Sequence, residues 1–264
     1  MRVVCQQPNY FPWLGYFEQL ARADSFVYLD NVQWIRQGRQ HRTRLPSLTQ
    51  LESPEVSQQK NWLTVPIHGH GHRDRTFREM EIDQSRNWTR QHWELLEATY
   101  RDAPYFQSQL EPLLKPFLFE TATKHRFLID LCEASVAMFW KPLKLGCAVW
   151  HASDLAPEGV KSARLVSLCQ SLEATEYYSA LGASRYLELP LFREAGVKVR
   201  WQHFRASALS PLRASDYSIL DWVAHCSWEQ ILAPLGKERG SFVPDIPALG
   251  AVDGIVTMVH GKIH

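Results

Sequence analysis

One unit at the start of the chain limits the fold more than any other feature: a short β-rich run, a proline-stopped loop, a helix and a second strand. Arg2 to Gln6 has the composition of a strand, Pro8 stops it, and Pro12 and Gly15 punctuate the loop that follows. Tyr16, Phe17, Leu20 and Ala21 then share one helical face, and Ser25 to Leu29 is a second apolar strand ending in Asp30. Two strands joined by a helix run parallel, because the crossover returns the chain to the same end of the sheet.

Alternation resumes after residue 147. Cys147 to His151, Tyr177 to Ser179 and Val197 to His203 read as strands, with helical patterns over Val160 to Leu172, Tyr186 to Ala195 and Ile219 to Leu232. Gln37 to Lys60 is polar and reads as a long, positively charged loop. Trp62 to Ile67 and Arg78 to Ile82 look like two strands joined by a turn holding His68, His70 and His72 between glycines. Asn87 suits the cap of a helix over Trp88 to Tyr100, Pro104 opens another helical stretch, and Thr121 to Phe139 reads as a third long helix. The expected fold is α/β, a Rossmann-like, mostly parallel sheet with a helical insertion at about residues 87 to 140. Residues 1 to 240 form one domain in this reading, and 241 to 264 a tail.

Composition bounds the function. The 264 residues are 45% hydrophobic and carry 29 Lys and Arg against 28 Asp and Glu, which excludes a disordered chain and predicts no nucleic-acid-binding surface. No apolar run reaches the roughly 18 residues of a spanning helix, and the first residues lack a signal peptide, so the expectation is a cytoplasmic protein with no membrane insertion. Cys5, Cys132, Cys147, Cys169 and Cys226 are widely spaced in apolar segments and are expected to be buried thiols. No Cys-x-x-Cys pair begins a metal site, and the three histidines of the glycine turn have no carboxylate beside them, so no metal is expected.

The candidate site follows from the rule that ligands bind beyond the carboxyl ends of parallel strands. Gln7, Asn9, Tyr10 and Trp13 leave the first strand, and Asp30, Asn31 and Gln33 leave the second, gathering carboxamides, rings and a carboxylate at one edge. Arg36, Arg39, His41, Arg42 and Arg44 lie just downstream and suit a phosphate or carboxylate. His92, one turn from Trp88, is either a core-edge histidine or a general base. Ser162 and Arg164 open a helix whose free amides favour an anion. No Gly-x-Gly-x-x-Gly or Walker loop is present to name a cofactor.

The run Gln7-Pro8-Asn9-Tyr10-Phe11-Pro12-Trp13-Leu14-Gly15-Tyr16-Phe17, followed by Ala23-Asp24 and Leu29-Asp30-Asn31-Val32-Gln33-Trp34, resembles the signature of the WbqC-like family. Trp62-Leu63-Thr64-Val65-Pro66, Trp88 with His92, Ala103-Pro104-Tyr105-Phe106, Ser162 with Arg164-Leu165, and Ser218-Ile219-Leu220-Asp221 continue the resemblance over about residues 2 to 235. Gln6, His41 and Ala180 depart from it, standing where relatives commonly carry His, Asn and Gly. The resemblance implies a bacterial enzyme of surface-polysaccharide (O-antigen type) biosynthesis, a transferase acylating or aminoacylating an amino sugar or nucleotide sugar. Its partners would be small molecules, a nucleotide sugar and an acyl or aminoacyl thioester donor. Asp30 or His92 would act as base, Arg42 would hold a phosphate, and Asn9 or Gln7 would face the oxyanion. Two alternatives stand beside it: an ATP-dependent nucleotidyltransferase or ligase, whose His-x-Gly-His motif is replaced here by Trp13-Leu14-Gly15-Tyr16, and a non-catalytic scaffold of glycan assembly.

Overall fold

The structure is a computed structural model and describes residues 1–35, 38–46, 61–68, 75–204 and 216–235. Its first strand, β1 (Arg2–Gln6), lies parallel to β2 (Ser25–Tyr28), with Val4 opposite Phe26 and Cys5 opposite Val27. Between them runs α1 (Leu14–Arg22). Strands β5 (Ala148–His151), β6 (Glu176–Ala180) and β7 (Lys198–Gln202) complete one parallel sheet in the order β5-β2-β1-β6-β7. Counted in chain order within this sheet the strands run 3-2-1-4-5, the arrangement of a doubly wound α/β sheet. Strand order reverses between β1 and β6, so the crevice such folds use opens at the carboxyl ends of these central strands.

The two faces of the sheet bury two separate cores because successive strand residues point to opposite sides. Val4, Phe26, Tyr28 and Tyr178 enter the larger core, while Val3, Cys5, Val27 and Tyr177 enter the smaller one. The smaller core packs on α6 (Lys161–Ser171) and α7 (Leu189–Glu194), which contribute Leu168, Cys169 and Phe192. The larger one receives α1, α2 (Trp88–Tyr100), α3 (Glu111–Pro116), α4 (Leu128–Ala137), α8 (Ile219–His225) and α9 (Trp228–Leu235). The helical insertion is thus a lid of apolar side chains over one face of the sheet. Each fully buried ring or branched side chain in it contributes roughly 1.5–3 kcal/mol.

Several local expectations are corrected. The polar stretch after residue 37 contains β3 (Arg42–Leu45), paired antiparallel with β4 (Asn61–Thr64) in a second, two-stranded sheet. Thr43 and Leu45 are buried while Arg42 and Arg44 are partly exposed, a period of two hidden by the surrounding charges. Arg78 to Ile82 is not a strand; Phe77–Glu79 is a tight turn in which the Glu79 carboxylate accepts from Thr76 N (2.7 Å) and Thr76 Oγ1 (2.8 Å). The helix read over Thr121 to Phe139 is broken: Phe127 is extended and bridges Glu81, and Leu128 N donates to Met80 O at 2.8 Å before α4 begins. Likewise α8 and α9 are two helices, because Gln109 clamps the break, donating to Cys226 O and accepting from Trp228 N at 3.0 Å each. Asn87 precedes α2 without a side-chain cap bond, and α7 starts at Leu189, leaving Tyr186 exposed. All five cysteines are free thiols, four buried and Cys147 partly so. No described helix is long and apolar enough to cross a membrane. Residues 241 to 264, His70 and His72 lie outside the described residues.

Candidate functional site

The loop that leaves β1 is fixed by an unusual backbone. Phe11 has φ +41°, in the left-handed region that a non-glycine residue enters at a cost of order 1–3 kcal/mol. Three hydroxyls from three distant segments hold it there. Its N–H donates to Ser135 Oγ (3.1 Å), and its carbonyl accepts from Thr43 Oγ1 (2.7 Å) and Ser218 Oγ (2.9 Å). Beneath it, Gln7 accepts from Gln40 Nε2 at 2.8 Å through its side chain, and its carbonyl accepts from Asn9 Nδ2 at 2.7 Å. The loop is therefore a rigid shelf.

Asn9, Tyr10 and Trp13 on this shelf line one small pocket with Pro12, Arg39, Arg42, Thr43 and Asp216. Asp216 receives Arg39 Nη2 at 2.8 Å and Arg44 Nη1 at 2.7 and 2.9 Å. Burial pushes the Asp216 carboxyl up, but hydrogen bonds and charge from Arg39 and Arg44 outweigh it and hold the group below the usual range. Arg42 lies over the Trp62 ring, 4.6 Å from its centroid, and its Nε donates to Gly38 O at 3.2 Å. The buried Nε of Arg44 has no hydrogen-bond partner among the described residues. Two guanidinium groups thus bind one carboxylate, and a third, Arg42, lines the pocket beside them.

Asp30 does not line that pocket. It is 1% exposed beyond β2, where Oδ1 accepts from Ser153 N at 2.9 Å and Oδ2 lies 3.6 Å from Arg78 Nη1. Oδ2 is buried and has no hydrogen-bond partner among the described residues. Ser153 belongs to α5 (Ala152–Leu155), the turn directly after β5, so Asp30 sits beside His151 at the end of that strand. His151 Nε2 is 2.7 Å from Glu133 Oε1 on α4, and its ring stacks on Tyr28 at 5.9 Å. Burial raises the Glu133 carboxyl, opposed by the His151 hydrogen bond and reinforced by the Asp130 and Asp30 charges. The carboxyl ends of β2 and β5 therefore carry an imidazole, two inward carboxylates and Arg78. Among the described residues no three His, Cys, Asp or Glu groups are placed to hold a metal.

His92 occupies the interior. Its Nε2 faces the Thr64 carbonyl at 3.1 Å, which only accepts, so the proton resides on Nε2 and Tyr10 Oη donates to Nδ1 at 3.2 Å. Burial lowers its pKa to about 4, keeping the ring neutral. Both nitrogens are engaged by the protein. The other predicted residues disperse: Asn31 is partly buried, and Gln33 is exposed and bridged to Thr76. His41 is buried with its ring 5.5 Å from Trp34. Ser162 Oγ accepts from Glu188 N at 3.0 Å, tying α6 to α7, and Arg164 is partly buried on the same helix. Arg36 lies outside the described residues. At the reversal of strand order a chain of carboxamides runs from Gln6 Nε2 to Gln19 (2.7 Å) and from Gln19 to Gln202 (3.1 Å), ending on buried Glu18, which Gln202, Tyr178 and Arg22 all bind. These groups satisfy one another.

The residues missed from sequence are His151, Glu133, Arg78, Ser153 and Asp216. His151 carried a legible signal, as the last residue of a predicted strand at the functional edge. Glu133 carried a fainter one, a carboxylate in the apolar run Leu131-Cys132-Glu133-Ala134-Ser135-Val136.

This architecture, a doubly wound sheet with a basic pocket on the first loop, coincides with a family match over residues 7–233. The chain belongs to the WbqC-like protein family. It is 30% identical over 200 residues to the uncharacterized protein Rv1507c of Mycobacterium tuberculosis, covering 76% of this chain and 81% of that one. No solved structure matches it significantly.

Proposed function

We propose that the chain is a transferase that acylates or aminoacylates an amino sugar or nucleotide sugar for surface-polysaccharide assembly. The observation that carries this reading is the pocket lined by Arg39, Arg42 and Asp216, in which Asp216 binds Arg39 and the adjacent Arg44, with the buried Arg44 Nε lacking an acceptor among the described residues. Such a site matches the diphosphate of a nucleotide sugar, and Trp13 and Trp62 beside it offer rings for a base or sugar. In this reading Arg42 clamps phosphate, Asn9 and Gln7 face the developing oxyanion, and Asp30 orients the acceptor by charge. The residues that would deprotonate the acceptor lie on the β2–β5 edge.

Thermal unfolding with UDP, GDP and dTDP, with and without acetyl-coenzyme A, tests it. A bound nucleotide at a hundredfold excess over its dissociation constant stabilises by about 2.7 kcal/mol, readily seen as a rise in Tm. Arg42→Ala should weaken that binding tenfold or more. The reading fails if no nucleoside diphosphate raises the Tm of the native protein.

A second reading, a non-catalytic assembly partner, is favoured by the sheet edge at β5, where Val149 and Trp150 are 41% and 40% exposed. Its mark would be a self-association or partner complex that Trp150→Ser abolishes while nucleotide binding is absent.

A further inference from the structure

Beyond the arginine pocket, the carboxyl ends of β2 and β5 hold a second polar site whose parts come from four segments. His151 ends β5, Glu133 faces it from α4, Asp30 follows β2, and Asp154 of α5 has Oδ2 3.6 Å from His151 Nδ1. Asp130, Tyr28, Arg78, Tyr16, Cys132 and Cys147 are further titratable groups around it among the described residues.

Two features point to a ligand. First, Asp30 is 1% exposed, yet its Oδ2 has no hydrogen-bond partner among the described residues, and the 3.6 Å to Arg78 is too long for one. A buried carboxylate oxygen left so is destabilising unless something donates to it. Second, His151 is tautomerically defined. A carboxylate only accepts, so Nε2 donates to Glu133 and leaves the lone pair of the neutral ring on Nδ1, in a side chain 34% exposed.

We propose that His151, Glu133 and Asp30 form a site for a primary ammonium group, in which the carboxylates attract the cation and His151 Nδ1 removes its proton. The N–H bond of the ammonium breaks, the amine nitrogen keeps the electron pair, and the proton forms the new bond at Nδ1. The resulting imidazolium is stabilised by Glu133 on one nitrogen and by Asp154 near the other. Asp30 is a binding group and Glu133 a positioning residue, fixing the tautomer and ring direction. A free amine is what attack on an activated acyl group requires, so the site deepens the transfer reading and rests on it for the reaction. Its preference for a cation stands on its own geometry.

The test is proton NMR of the histidine ring signals of the full chain, His151 being assigned by its loss in His151→Gln. D-glucosamine should shift the His151 signals saturably, while N-acetyl-D-glucosamine, the same ring without the charge, should leave them in place. Glu133→Gln and Asp30→Asn should each weaken the glucosamine response tenfold or more. If Asp30→Asn does not fold, the partly exposed Glu133→Gln decides. Equal responses to both sugars, no response to glucosamine, or an unchanged response in folded variants overturns the proposal. UDP binding measured on the same samples separates the readings: its loss with the amine response intact sinks only the phosphate pocket, and the reverse sinks only the amine site.

Discussion

His92 and His151 both have defined partners at their ring nitrogens, and they are opposites. His92 is buried, bonded to a phenol and a backbone carbonyl, and held neutral by burial down to about pH 4. His151 lies partly open at a strand end, bonded to one carboxylate and flanked by a second. Both neighbourhoods are aromatic, with Tyr10, Trp88 and Phe117 around the first and Tyr28 against the second. What separates a structural imidazole from a chemically available one is the sign of its neighbours and its access to water. Residue type and nearby rings do not.

The largest effect that sharpens this contrast lies at the first site. Tyr10→Ala removes a fully buried ring and the donor to His92 together, and should cost about 3–5 kcal/mol by urea denaturation. A loss below about 1 kcal/mol would mean that the Tyr10–His92 centre does not hold the insertion on the sheet.

Next is the pH dependence of that centre. His92 has a folded pKa of about 4 against about 6.5 unfolded, so between these values the unfolded chain binds the extra proton. The contribution of His92 to stability is therefore fully present above the unfolded value and declines as pH falls toward the folded one. At about 1.36 kcal/mol per unit the loss approaches about 3 kcal/mol. His92→Gln should flatten the stability profile over this range. If the variant keeps the native slope, the ring is not buried neutral.

Smaller losses are expected at the shelf. Ser135→Ala and Ser218→Ala each remove one hydroxyl from the Phe11 backbone, and each should cost about 1–2 kcal/mol. Because both serve one strained residue, the double variant should deviate from additivity by 0.5 kcal/mol or more. Strict additivity would show that Phe11 is not their common point.

The smallest effect is at the second histidine. Glu133→Gln should change stability by less than about 0.5 kcal/mol, since the amide keeps the shape and an acceptor oxygen for His151 Nε2. The His151 ring NMR signals should nevertheless move, because the carboxylate bonded to Nε2 is gone. A stability loss above about 2 kcal/mol with unmoved His151 ring signals would make this edge a structural ion pair like any other.

The sequence alone determined the parallel β1–α1–β2 unit, the later alternation, the family, and the edge at which Asn9, Tyr10, Trp13 and Arg42 meet. Those are consequences of local rules: apolar periodicity, proline and glycine punctuation, and the direction in which a crossover returns the chain. The tertiary structure decided the rest, because it depends on contacts between residues far apart in the chain. Only folding brings Asp216 to Arg39 and Arg44, sets Ser135, Thr43 and Ser218 on Phe11, and divides the helices at Phe127 and Cys226 through bonds to Met80 and Gln109. It also parted Asp30 from the arginine pocket and set it beside His151 and Glu133. A side chain's pairing, burial and protonation are properties of its three-dimensional neighbours, and no spacing along one chain encodes them directly.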